Sequence, residues 1–163
     1  SDLSQPWKFV VVRQKNAELA KLAYGANYDQ VMEAPVTIAL FTDTDLQKRA
    51  RKIARVGGVK NFTDEQLQYF MQNLPAEFAR YDVQQTSDYL ALNAGLVAMN
   101  LVLALTDQGI GTNIILGFDK SKINEVLDIE ERFRPEVLIT VGYAAEKVEP
   151  SYRLPVDEII DKR

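Results

Sequence analysis

The stretch that most constrains this chain runs from Tyr89 to Leu105, where the apolar sequence is interrupted by only two strongly polar side chains, Asn93 and Asn100. A helix written this way carries apolar residues on every face. It therefore has to be surrounded by protein, either as core or as core and subunit interface together. The stretch is also close to the minimum of about 17 residues that crosses a bilayer. The two asparagines, the mid-helix Gly95, the acidic flanks Asp88 and Asp107, and the lack of a second such segment argue against a membrane span. Beyond the stretch, Gly109 stands where a helix takes its left-handed C-terminal residue. Thr112 to Leu116 then reads as a short buried strand, and Gly117-Phe118-Asp119 as a turn into another helix.

The chain contains no cysteine and no histidine. That excludes disulfides, thiol nucleophiles, serine–histidine triads, histidine general bases and nearly all zinc sites. An enzyme of this composition takes its reactive group from an organic cofactor that the protein only positions. The 163 residues, 47% hydrophobic and 26% charged, suit one globular domain. A net charge of −4 does not suit a nucleic-acid binder, whose affinity comes from clustered Lys and Arg. The basic run Lys48-Arg49-Ala50-Arg51-Lys52, with Arg55, reads as the solvated face of a helix. No secretory signal or transit segment opens the sequence, so a cytoplasmic location is expected.

The chain opens on Ser1-Asp2-Leu3-Ser4-Gln5-Pro6-Trp7-Lys8 without a capped helix, as though further residues belong upstream. Phe9 to Val12 is a β-branched run and predicts a strand. Asn16 is an N-cap candidate for a short helix ending near Tyr24-Gly25, and a second short helix from Tyr28 to Glu33 has to stop before Pro35. Val36 to Phe41 is an unbroken apolar run, the pattern of a strand covered on both faces. A charged helix from Asp45 to Arg55 is expected to break at Gly57-Gly58.

Thr63-Asp64-Glu65-Gln66 has capping-box spacing, and Leu67, Phe70, Met71 and Leu74 follow at helical spacing. This aromatic-rich region, 57–80, packs as core or serves as a mobile cover over a pocket. Asp119 is an N-cap candidate for a helix through Leu127, and Val137 to Tyr143 is another buried strand. Residues 143–163, with Pro150 and Pro155, read as an extended arm with a short terminal helix. The order of elements gives an α+β or α/β domain of three layers around a central sheet.

Gly109-Ile110-Gly111 half-matches a dinucleotide fingerprint, but here it follows a helix and opens a strand, the reverse of what that motif requires. Three other stretches, taken together and in order, are more informative. They are Ser4-Gln5-Pro6-Trp7-Lys8 with the strand after it, Gly109-Ile110-Gly111-Thr112 through Leu116-Gly117-Phe118-Asp119, and Val141-Gly142-Tyr143 followed by Tyr152-Arg153-Leu154-Pro155. In this combination the chain resembles the FMN-dependent nitroreductase family over nearly its whole length.

The resemblance implies an α+β, three-layer fold with a mainly antiparallel sheet, and a homodimer with the long apolar helix at its interface. It implies that Ser1, Ser4, Gln5 and Pro6 approach the flavin, that Gln30 meets its pyrimidine edge, and that Ile115, Leu116 and Gly117 lay backbone N–H groups against it. Arg153 meets the phosphate in that arrangement, and its planar fork suits the role. Two features depart from the family pattern. The opening helix with its basic phosphate cluster is absent from this sequence, and Leu3 stands where an asparagine is common.

The expected activity is a ping-pong oxidoreductase that takes a hydride from NAD(P)H onto FMN. It then reduces a nitroaromatic, quinone or similar conjugated acceptor, with no side-chain acid or base required in the first half-reaction. Flat aromatic walls suit such acceptors, which makes Tyr69, Phe70 and Phe78 pocket candidates. A flavin store, a redox sensor, a dehalogenase and a flavin-degrading enzyme are the alternatives.

Overall fold

The structure, a computed structural model, describes residues 4–59, 61–146 and 151–163. Strands β1 (Trp7–Val12), β2 (Val36–Asp43), β3 (Gly111–Ile115) and β4 (Phe133–Gly142) form one sheet in the order β1-β2-β4-β3. Every neighbouring pair is antiparallel. β2 and β4 are central and covered on both faces. Alternation along β2 sends Ala39 and Phe41 to one side and Leu40 to the other.

The first side is covered by helices α1 (Asn16–Ala20), α2 (Asn27–Glu33) and α7 (Ile123–Leu127), through Leu19, Val31 and Ile123. The other side is covered by α6 (Val83–Asp107), which sets Ala94 and Ala98 against Leu40 and Ile139. A third cluster joins α3 (Leu46–Val59) and α5 (Leu74–Phe78) to the first turns of α6, through Leu46, Ala50, Phe70, Leu74, Phe78 and Leu90. This is the expected α+β, three-layer arrangement.

Four details differ from expectation. The helix α3 does not break at Gly57-Gly58 but continues to Val59, because packing at Gly57 outweighs a propensity cost of about 1 kcal/mol. After the predicted Thr63–Gln66 capping box, α4 (Asp64–Gln68) passes through a π-helical segment, Tyr69–Asn73, into α5. Pro75 has no N–H for the helical ladder, and the hydrogen-bond register changes in the segment directly before it. Asp119 and Asn16 are not N-caps. Asp119 instead accepts from the Ser121 amide at 3.0 Å and hydroxyl at 2.6 Å, bonds that hold its carboxyl below the usual carboxylate value. Asn16 donates to the Ala34 carbonyl at 2.7 Å.

The largest difference concerns α6. It begins at Val83, well before Tyr89, because Asp82 and Gln85 form a reciprocal capping box. By length and composition it could cross a membrane, yet within this chain only one side of it is covered. Leu90, Asn93, Ala94 and Ala98 are buried, whereas Leu92, Leu96, Met99 and Leu103 lie open to solvent. Residues 151–163 are exposed throughout and contain one short 3₁₀ turn, Val156–Glu158.

Candidate functional site

The loop that leads into β1 is held from three directions. The buried Ser4 hydroxyl shares a 2.5 Å hydrogen bond with the Tyr89 hydroxyl of α6. The Asp43 amide donates to the Pro6 carbonyl at 2.6 Å. Between these anchors Gln5 adopts φ +44°, a left-handed conformation that non-glycine residues seldom take and that persists only when its surroundings enforce it. The Arg49 guanidinium of α3 donates to the Gln5 carbonyl and completes the enforcement.

Beside this loop is a cavity of about 370 Å³, lined by Ser4, Gln5, Arg49, Lys52, Ile53, Val56, Gly57 and Phe62. Helical spacing explains its α3 wall, since residues three and four apart share a face. Gly57 matters sterically: a Cβ there would come within 2.1 Å of the Phe62 ring, so glycine lets that ring lie flat on the helix. Phe70 and Phe78, each 5% exposed, are in the core behind the cavity, with Tyr69 packed half-buried against them. The ring facing the cavity is Phe62, whose centroid is 5.6 Å from that of Phe70.

The second group of candidates gathers at the end of β3. Ile115 is buried, Leu116 is 67% exposed, and Gly117 accepts at its carbonyl from the Tyr24 amide at 2.9 Å. Among the described residues, the N–H groups of Leu116 and Gly117 have no backbone partner in this turn. A Cβ on Gly117 would meet the Asn27 side-chain nitrogen at 3.0 Å, so this amide borders the turn. Gln30, one helical turn further along α2, accepts from the Asn113 side chain on β3. Arg153 lies apart, exposed in the arm, and among the described residues donates to Ser151 and to the Tyr152 carbonyl. Ser1 falls outside the described residues.

The two groups are not neighbours. β1 and β3 are the opposite edges of the sheet, about 14 Å apart at the usual strand spacing. Ile115 is in line with Leu138, Ala39 and Val10 across the sheet. Trp7 is three residues further along β1, roughly another 10 Å. One copy of the chain therefore presents two half-sites. Sequence reasoning missed Asn27, Arg49, Lys52 and Phe62. The first had no signal beyond proximity to Gln30, and the basic pair was absorbed into a solvated helix face.

The nitroreductase family model matches residues 3–143. The chain belongs to the nitroreductase family. It is 63% identical over 159 residues to a Streptococcus pyogenes protein provisionally named NAD(P)H nitroreductase Spy0809, covering 98% of this chain and 79% of that one. A crystal structure of a nitroreductase family protein from Streptococcus pneumoniae TIGR4 superposes with a TM-score of 0.96 at 84% identity, over 99% of this chain and 81% of that one. A provisionally named nitroreductase from Exiguobacterium sibiricum, solved in complex with FMN, superposes at 0.90 with 29% identity, over 100% of this chain and 79% of that one. As a member of this family the chain is an oxidoreductase, and the fold expected from sequence is the fold found.

Proposed function

We propose that this nitroreductase family member is an FMN-dependent oxidoreductase. It takes a hydride from NAD(P)H and reduces nitroaromatic, quinone or similarly conjugated acceptors, with donor and acceptor taking turns in one pocket. When bound, FMN supplies the ring that receives the hydride and passes the electrons on. The observation that carries the reading is the Leu116–Gly117 pair of backbone donors, open among the described residues and bordered by the Asn27 amide, with Gln30 one helical turn beyond it. Backbone N–H groups fixed in a turn hold the acceptor edge of a flat heterocycle without reorganising. The absence of a side chain at Gly117 lets a ring approach the main chain. Arg153 is the phosphate partner in this reading, and the segment 57–80 is the cover over the substrate cavity of a single-domain protein.

The same reading makes the protein a cytoplasmic homodimer, the compartment that supplies NAD(P)H. One chain exposes 11101 Å², against roughly 8,200 Å² for a compact monomer of its mass. The excess is larger than the roughly 800 Å² that each partner contributes to a standard interface. Pairing through the open side of α6 would cover part of it and close half-sites that a single copy leaves at opposite sheet edges.

Purified protein is expected to bind added FMN, to show oxidised-flavin absorption and to oxidise NAD(P)H continuously with a nitro compound. A single reduction without turnover would leave only a flavin store. Colourless protein that takes up no FMN would end the proposal. Arg153→Ala is expected to weaken FMN binding about tenfold, within the range of one charge-assisted hydrogen bond. Fluorescence titration with FMN reads this, and unchanged affinity removes Arg153 from the site.

A further inference from the structure

The helix α3 carries Lys48, Arg49, Arg51, Lys52 and Arg55 and no carboxylate, in a chain whose net charge is −4. The ion pairs among the described residues all lie elsewhere, so these five cations have no carboxylate partner among the described residues. They fall into two sets. Lys48, Arg51 and Arg55 line no part of the cavity beside Gln5, whereas Arg49 and Lys52 share its wall with Ile53 and Val56. A guanidinium has five N–H donors, and among the described residues Arg49 uses one terminal nitrogen, toward the Gln5 carbonyl. The lining of the cavity thus combines the apolar Ile53, Val56 and Phe62 with two positive charges that meet no carboxylate among the described residues.

We infer that this cavity selects a conjugated electron acceptor bearing a carboxylate, an aromatic acid. The ring rests on Phe62 and Ile53, and the carboxylate is held between Lys52 and Arg49. The inference rests on the oxidoreductase reading and specifies its acceptor. A planar fork next to a mobile ammonium matches a carboxylate. The two charges also disfavour a cationic acceptor of the same shape. At about 370 Å³ the cavity is at the small end of ligand sites, which suits a one-ring acid.

The test compares kcat/KM for para-nitrobenzoate with that for para-nitrobenzyl alcohol in the flavin-loaded protein. Lys52→Gln is expected to lower this ratio about tenfold, a change equivalent to one charge-assisted hydrogen bond. Lys52→Arg should retain the ratio, and Arg55→Gln, on the same helix but outside the cavity, should leave it unchanged. An equal ratio in wild type and Lys52→Gln overturns the inference. A change confined to the preference for NADPH over NADH also overturns it, in favour of a nucleotide phosphate. Lack of turnover with either acceptor would strike the oxidoreductase reading instead, and equilibrium dialysis of para-nitrobenzoate without a donor then decides the cavity. Wild type should retain the acid about tenfold more tightly than Lys52→Gln, and equal retention overturns the inference.

Discussion

Inward, α6 sets Ala94 and Ala98 against the sheet and Leu90 into the neighbouring helices; outward, it exposes Leu92, Leu96, Met99 and Leu103 at 47–64% of their area. The inner side centres on the small residues Ala94 and Ala98, flanked by the half-buried Val97, Leu101 and Val102, and its small centre lets the helix axis come close to Leu40 and Ile139. The outer side holds bulky side chains spaced four, three and four residues apart, the seam along which helices pack against one another. Apolarity on every face thus arises from two different coats. One is tailored to the chain's own sheet, and the other is left open to solvent by the described residues.

Three variants, one of them double, bear on that difference. The largest effect is expected from Leu96→Glu with Leu103→Glu. If the outer seam is the homodimer interface, association loses roughly 3–6 kcal/mol for the two side chains, before any cost of burying charge. Sedimentation should then show monomers with an unchanged circular dichroism spectrum. Wild type that already sediments as a monomer would break the comparison.

Next comes Leu90→Ala, on the inner side, which leaves a hole among Phe70, Leu74 and Phe78. It should cost about 2–5 kcal/mol of folding stability in urea, with the dimer constant unaffected at low denaturant. A loss confined to association would show that the two sides do not work separately. The smallest effect is expected from Asp82→Ala, which removes the acceptor of the Gln85 amide bond at 2.7 Å. It should cost about 1 kcal/mol, read as a lower midpoint with no change in oligomeric state, since capping acts on the helix before its sides are distinguished.

The sequence carried the places of the strands and the capping box at Thr63, because apolar runs and cap chemistry are local, but not the exposure of β3, which is an edge strand with Asn113 and Ile114 open to solvent. It also carried the C-terminal stop of α6, where Gly109 has φ +72°. Tertiary contact decided what it did not carry. The persistence of α3 through Gly57 depends on Phe62, and the bond of Asn16 to Ala34 depends on a turn that no short window reveals. The start of α6 was missed for another reason: Val83 to Ser87 is polar, and the Asp82–Gln85 box was overshadowed by the apolar run behind it. Of the site, Ser4, Gln5, Leu116 and Gly117 were found through a motif-level resemblance. Arg49 and Lys52 were visible as charges, but which face of α3 meets the Gln5 loop is a matter of packing.

The Ser4–Tyr89 contact joins two places that are otherwise unrelated. Tyr89 is rooted in the first turns of α6, one turn upstream of Leu92, while its hydroxyl grips the residue next to the strained Gln5. The bond thus ties the helix that carries the outer seam to the loop that borders the cavity. A second copy seated on that seam would therefore rest on a helix anchored directly to the cavity's rim.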